Sequence, residues 1–231
     1  AGEYPVGETK VTWTVTDKHG NISTAEMTIT VHDQELPVAK AKNITIQLDE
    51  SGQASIIPED VNDASSDACG IESLALDRYE FSCADVGKDN TVTLTVTDKN
   101  GNKSTANAIV TVEDNFKPKA VGKDIMVQLD ANGHASVLSN AVDGGSSDAC
   151  GIRSLELSQS DFSCEHLGPN AVTLTVTDVN GNFSTVGITV TVIDNEPPDI
   201  VCPADIVLSA CEPTATWSIP EASDNCSVIV S

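Results

Sequence analysis

Large apolar side chains recur at every second position in Val92-Thr-Leu94-Thr-Val96, with threonines between them. That period belongs to a strand with one face on a core and the other in water. An Asn-Gly turn at Asn100-Gly101 follows, and Ala108-Ile-Val110-Thr-Val112 then alternates again. The pattern predicts a β-hairpin whose turn accommodates a positive φ. The same hairpin is written at 10–31, 91–112 and 171–192, with Trp13 standing where Leu94 and Leu174 stand. That position points inward, so Trp13 is expected in a core, as is Trp217, rather than on a sugar-stacking surface. Upstream, Ile44-Thr-Ile46-Gln-Leu48, a turn at 49–52 and the run 53–57 predict a second hairpin, echoed at 125–138. Between the hairpins lies an irregular loop, Ser-Ser-Asp67-Ala-Cys69, and no stretch has helical periodicity.

Gly20, Gly101 and Gly181 are 81 and 80 residues apart, and Cys69/Cys150 and Cys83/Cys164 each 81. A fixed period of this size means an array of like modules. Two full modules fit at 36–115 and 116–195; residues 1–35 match the end of a module and 196–231 the beginning of one. Short strands with frequent turn signals predict an all-β fold of tandem sandwiches. Eighty residues give a small core.

Composition narrows the function. Twelve basic against 35 acidic side chains leave a net charge of −23, and each of the four segments is net acidic. Nucleic-acid binding lacks its electrostatic footprint, and adhesion to an anionic bilayer by charge is equally disfavoured. The plain reading is a self-repelling soluble surface; the sharper one is that some carboxylates cluster to hold cations. No apolar run in these residues is long enough to span a membrane and none of them reads as a leader or basic targeting segment, which for a window that starts mid-module says nothing about export. No nucleophile, base and acid stand in a motif, so a non-enzyme is expected.

Seven cysteines fall in patterned places. Matched pairs in a repeat predict disulfides 69–83, 150–164 and 202–211 and an oxidising, extracytoplasmic setting. Zinc competes, but His19, His32, His134 and His166 have no finger-like spacing. Cys226 follows Ser-Asp as Cys69 and Cys150 do, which leaves its partner beyond Ser231. The sequons at Asn21, Asn43, Asn102 and Asn182 are acceptor patterns, and turn chemistry accounts for three of them.

Asp194-Asn-Glu-Pro-Pro-Asp-Ile-Val-Cys202-Pro-Ala-Asp-Ile206, with Ala-Ser-Asp224-Asn-Cys226, resembles the opening of a hyalin-repeat (HYR) module. Tyr4-Pro-Val-Gly7-Glu-Thr-Lys-Val-Thr-Trp-Thr-Val-Thr-Asp17-Lys-His-Gly-Asn21 resembles the second half of one. The middle modules lack the paired cysteines of the first hairpin and are similar to variant HYR-like repeats of giant Bacteroidota surface proteins, gliding-motility adhesins among them. The resemblance implies immunoglobulin-like sandwiches arranged end to end, display at the cell surface, a role in adhesion and export by type IX secretion.

An immunoglobulin-like topology brings the BC and FG loops together at the end where the preceding module arrives. Asp33 would then meet Asp67 and Asp98, Asp114 would meet Asp148 and Asp178, and Asp194 would meet Asp224. Such groups of carboxylates suit Ca²⁺, which takes six to eight oxygens, and without a cation they would repel. The competing reading is that these aspartates cap turns. The linkers after Asp33, Asp114 and Asp194 contain proline and no glycine, as a stiff joint requires. The expected function is a non-catalytic stalk segment of a cell-surface adhesin, a semi-rigid rod whose partners are the neighbouring modules of the same long chain and an unidentified distal ligand. Its rivals are carbohydrate- or protein-binding modules and an appendage of a secreted enzyme.

Overall fold

The computed structural model describes residues 2–208 and 214–229. The chain forms two compact units, Ala1–Asp114 and Asn115–Ser231.

In the first unit, β1 (Gly7–Thr16) and β2 (Ile22–Val31) pair as an antiparallel hairpin. β3 (Ile44–Gln47) and β4 (Gln53–Ser55) follow, then a single helical turn α1 (Pro58–Val61), β5 (Ile71–Leu76) and β6 (Glu80–Ser82). A 3-10 turn at Cys83–Asp85 leads into β7 (Asn90–Asp98) and β8 (Lys103–Glu113). One sheet has the order β3-β8-β7-β5, with β3 parallel to β8; β4 and β6 form a second, smaller one. The hairpin expected at 91–112 is β7–β8, as its period requires. Val92, Leu94, Val96, Ala108, Val110 and Val112 are all buried, as are Leu48, Ile56, Val61 and Phe81.

The second unit repeats this plan with β9 (Ile125–Gln128), β10 (His134–Ser136), α2 (Ser139–Val142), β11 (Ile152–Leu157) and β12 (Asp161–Ser163). A 3-10 turn at Cys164–His166 precedes β13 (Gly168–Asp178) and β14 (Phe183–Ile193). The sheet order β11-β13-β14-β9 and the pair β10-β12 reproduce the first unit. Leu129, Val137, Val142, Phe162, Leu174 and Val190 lie in one core cluster. β15 (Asp199–Val201) and β16 (Glu221–Ser223) add a short antiparallel pair.

Two expectations are corrected. The upstream hairpin does not form as a strand pair. Its turn exists, with the Asp49 amide donating to the Gln53 carbonyl (2.8 Å) and the Gly52 amide to Asp49 (2.9 Å). Beyond the turn the chain changes layer, and β3 and β4 go to different sheets. That crossing closes the sandwich, because one run covers the core from each side. The tryptophans are not core residues either: Trp13 is 62% and Trp217 72% exposed. Trp13 lies on the face equivalent to that of Leu94, but among the described residues β1 and β2 form a two-stranded sheet with no second layer over it.

Candidate functional site

Each repeated hairpin turns on an aspartate followed by a glycine of positive φ, +91° at Gly101 and +96° at Gly181. In the second unit the Asp178 carboxylate is fully buried. One oxygen accepts the amides of Asn180 (2.9 Å) and Asn182 (2.8 Å), and the other accepts the Asn182 side-chain amide (2.9 Å). Asp98 does the same for Asn100 and Asn102, at 2.7–2.8 Å. Burial pushes the Asp98 carboxyl up, and the hydrogen bonds from Asn102, Asn100 and Gly101 outweigh it, so the net pKa falls below the ordinary carboxylate value. Asp17 is held down by Asn21 first, then by the backbone amides of Asn21 and His19. These turn aspartates are thus committed to local donors.

The aspartate that follows β2 behaves differently. An oxygen of Asp33, one of Asp67 and Sγ of Cys69 lie within 4.8 Å of one another. Asp33 comes from the stretch after the first hairpin and Asp67 from the loop of the next module, so these residues meet at a joint between two repeats. The Asn100 side-chain amide donates to the Asp33 carboxylate at 3.2 Å, and that of Asn102 to the Asp33 carbonyl at 3.4 Å. Asp67 accepts the amides of Cys69 (2.8 Å) and Gly70 (2.9 Å) through one oxygen, Oδ1. The joint therefore gathers Asp33, Asp67 and the 98–102 turn, but it is the asparagines of that turn, not the Asp98 carboxylate, that touch Asp33. The Cys69 thiol is pushed up by its hydrogen bond to Asp33, then by burial and by the charges of Asp33, Asp67 and Asp98. A thiol kept protonated is a poor metal ligand, so the donor set here is oxygen.

A corresponding joint lies within the second unit, between the hairpin that ends at Ile193 and the loop at 224–226. One Asp194 oxygen accepts the Asn225 side-chain amide (3.1 Å) and the Glu196 backbone amide (3.1 Å). Asn225 also donates to the Asp130 carbonyl at 3.0 Å. Asp224 accepts the Cys226 amide at 3.0 Å, as Asp148 accepts the Cys150 amide at 2.8 Å. A cleft beside this joint is lined by Ala131, Glu196, Pro197, Asp199, Ser223, Asp224 and Asn225. The Asn225 side-chain oxygen is buried without a hydrogen-bond partner, a costly state for an acceptor unless a donor or a cation meets it. Asp114 ends the first unit as a buried residue. Sequence reasoning missed Asn225, Glu196 and Asp199; the first stands where Ala68 and Ala149 stand, and that departure from the repeat was the available signal.

The cysteines pair differently from the expectation. Cys164 is bonded to Cys226, with Cα atoms 5.4 Å apart. Cys83 and Cys150 are disulfide-bonded as well, whereas Cys69 is a free thiol. The pairings 69–83 and 150–164 are therefore wrong, and the strands say why. The Val179 amide donates to the Gly151 carbonyl at 3.1 Å, which puts Cys150 beside the turn at the end of β13. Cys164 sits before the start of that strand. Eleven residues of β13 separate the two ends, about 35 Å at ~3.3 Å per residue, and a disulfide reaches about 6 Å between Cα atoms. Cys69 and Cys83 flank β7 in the same way. Cys211, and with it the pairing 202–211, lies outside the described residues.

No protein-family model matches the chain, and no curated protein matches it. Among solved structures it is similar to the protocadherin gamma B7 extracellular cadherin domains 1–4, with a TM-score of 0.35 and 15% identity over 96% of this chain and 67% of that one. It is also similar to protocadherin gamma C5 EC1–3, with a TM-score of 0.36 and 12% identity over 80% of this chain and 77% of that one. For human mucin-like protocadherin EC1–2 the TM-score is 0.34 and the identity 11%, over 70% of this chain and all of that one. Likeness at TM-scores this low bears on neither the fold nor the function of the present chain.

Proposed function

We infer that the chain is a non-catalytic stalk segment of an extracellular adhesin, built of HYR-like modules whose joints hold Ca²⁺. The observation that carries this reading is the meeting of Asp33, Asp67 and the 98–102 turn at a joint between two repeats, with carboxylate oxygens close enough to share one cation. Like charges held that close repel unless a cation or a proton lies between them. Calcium suits the site because it accepts irregular oxygen ligation. Asp33 and Asp67 would supply carboxylates, and the Asp33 carbonyl lies beside them. The Asn102 amide that now faces this carbonyl would turn its oxygen inward.

In the second unit the acidic cleft of Glu196, Asp199 and Asp224, with the unpartnered Asn225 oxygen, supports a cation at the equivalent place. Asp98 and Asp178 would act there as builders of the turn; Asp114 and Asp148 repeat Asp33 and Asp67 in sequence. A cation at a joint removes hinge freedom, and the proline-containing linkers act in the same direction. Stiff joints suit a segment that spaces a distal binding region from a cell, and disulfides suit an extracellular location. A Bacteroidota cell surface reached by type IX secretion, in a gliding adhesin, is the setting the HYR-like motifs favour.

The test is calcium binding to chelator-treated protein, with Asp33→Asn as the comparison. A Ca²⁺-dependent rise in melting temperature that Asp33→Asn diminishes is expected. An unchanged melting temperature on adding Ca²⁺ refutes the joint.

A further inference from the structure

We propose that Asn43 is the N-glycan acceptor of this chain, taking its sugar from an oligosaccharide carried on a lipid pyrophosphate, and that Asn21, Asn102 and Asn182 serve the fold instead. All four head an Asn-x-Ser/Thr sequon. What separates them is the use to which each side-chain amide nitrogen is already put.

At three positions the nitrogen builds the hairpin turn. Asn21 Nδ2 donates to the Asp17 carboxylate at 2.7 Å. Asn102 is partly buried and commits both Nδ2 hydrogens, one to the Asp98 carboxylate (2.7 Å) and one to the Asp33 carbonyl (3.4 Å). Asn182, also partly buried, donates to the buried Asp178 carboxylate at 2.9 Å. An N-glycosidic bond replaces one amide hydrogen by the anomeric carbon of a bulky, hydrated sugar. At Asn102 that removes a donor, and at Asn182 it crowds a fully buried carboxylate. At Asn21 it competes with the bond that does most to hold the Asp17 carboxyl below its ordinary pKa.

Asn43 inverts this arrangement. It is exposed, and its side-chain oxygen rather than its nitrogen is engaged: Oδ1 accepts the Ile109 amide at 2.8 Å. That bond caps the edge of β8 where β3 begins its parallel pairing, Ile44 opposite Val110. The second unit makes the same bond without a nitrogen. Asp124 stands in the place of Asn43, and its carboxylate accepts the Thr189 amide at 2.7 Å. The cap therefore needs only an oxygen, and the Asn43 nitrogen is surplus to the fold. One of its hydrogens can be exchanged for a sugar while Oδ1 keeps its bond.

The position also suits a bulky polar group. β3 is an edge strand in the order β3-β8-β7-β5, and edge strands need shielding from pairing with another chain. A glycan beside Ile44 blunts this edge, as the Asp124 charge does at the start of β9.

In the transfer, the Asn43 nitrogen attacks the anomeric carbon and a C–N bond forms. The bond from that carbon to the pyrophosphate oxygen breaks, the lipid pyrophosphate leaves, and the amide gives up one proton. The enzyme class, an oligosaccharyltransferase, works on the outer side of the exporting membrane, where disulfides also form.

Secretion of the full chain from a cell that has this enzyme, followed by enzymatic deglycosylation in heavy-oxygen water, tests the assignment, because each modified asparagine becomes a labelled aspartate. Asn43 should be labelled several-fold more fully than Asn21, Asn102 or Asn182. Asn43→Asp, which keeps the capping oxygen, and Thr45→Val, which keeps the asparagine, should each remove the glycan's mass from the intact protein. Unglycosylated Asn43→Asp should melt as the wild type does, whereas Asn43→Ala should melt lower. Where secretion fails, transfer to the reduced, unfolded chain followed by oxidative refolding gives the same comparison in the refolded fraction. An Asn43 that stays bare, or is modified no more fully than the other three, overturns the proposal. So does an Asn43→Asp chain that melts as low as Asn43→Ala, because the nitrogen would then belong to the fold.

Discussion

Replacing Asp178 by alanine should destabilise the second unit more than any ordinary loop substitution. The carboxylate is buried and accepts three hydrogen bonds, from the Asn180 amide, the Asn182 amide and the Asn182 side chain. Hydrogen bonds to an ionised acceptor contribute roughly 1.5–3 kcal/mol each. They are not additive here, since water can reach the exposed Asn180 once the carboxylate is gone. About 3–4 kcal/mol is the expected loss. For a unit of this size 1 kcal/mol moves the melting temperature by about 4–8 °C, so the fall should exceed about 10 °C. Asp178→Asn keeps one acceptor oxygen for the two backbone amides but faces the Asn182 amide with another donor, and should cost about half as much. Calorimetry in a chelator separates this turn term from any cation. A loss below ~1 kcal/mol for Asp178→Ala would show that the turn does not depend on its aspartate.

Two further outcomes follow from the geometry. Stability should fall in acid. The folded pKa of Asp85 is lowered first by its hydrogen bond from Arg78, that of Asp143 by Ser146, and that of Asp130 by the His134 amide. A depressed carboxylate contributes stability above its unfolded pKa of ~3.9 and loses it as pH falls through the folded value. Melting temperatures should therefore hold between pH 5 and 7 (a range of about two units) and drop steeply below about pH 4; a flat profile to about pH 2.5 would contradict this. Gly133→Ala should disturb the stapled joint, because φ is +74° there and a Cβ would lie 2.6 Å from the Asn225 carbonyl and 2.8 Å from Cys164 Sγ. Thiol labelling of Cys164 and Cys226 in the oxidised variant measures the loss; a fully formed disulfide would show that the loop tolerates the shift.

The hairpins of this fold were legible because their information is local. Val92, Leu94 and Val96 alternate with threonines, and a two-residue period has one structural meaning when the turn signal follows at once. The run 44–57 carried equally good local signals, yet its strands separated. A turn constrains the four or five residues it contains, while the sheet each strand joins is decided by the core in which Leu48 and Ile56 are buried. The cysteines failed for the same reason in a stronger form. Cys150 and Cys164 are near in sequence and lie at opposite ends of a strand, whereas Cys164 and Cys226 are distant in sequence and bonded. Pairing across a joint shows in the sequence only as a phase relation between modules. Trp13 shows the opposite limit: its phase is that of a core residue, but no second sheet covers it among the described residues.

At the candidate site, sequence placed Asp33 and Asp67 together because topology alone forces that meeting. It could not separate the aspartates that cap turns from those left facing one another. That difference depends on which donors surround each carboxylate: Asp98 and Asp178 are enclosed by their own asparagines and amides, while Asp33 faces the loop of the next module.

The central claim is that these joints hold Ca²⁺, and isothermal titration of Ca²⁺ into the chelator-treated, oxidised chain tests it most directly. The account expects a saturable heat that diminishes in Asp33→Asn and persists in a variant of an aspartate far from the joints, such as Asp77→Asn. A titration with no heat above dilution, or one unchanged by Asp33→Asn, would contradict it.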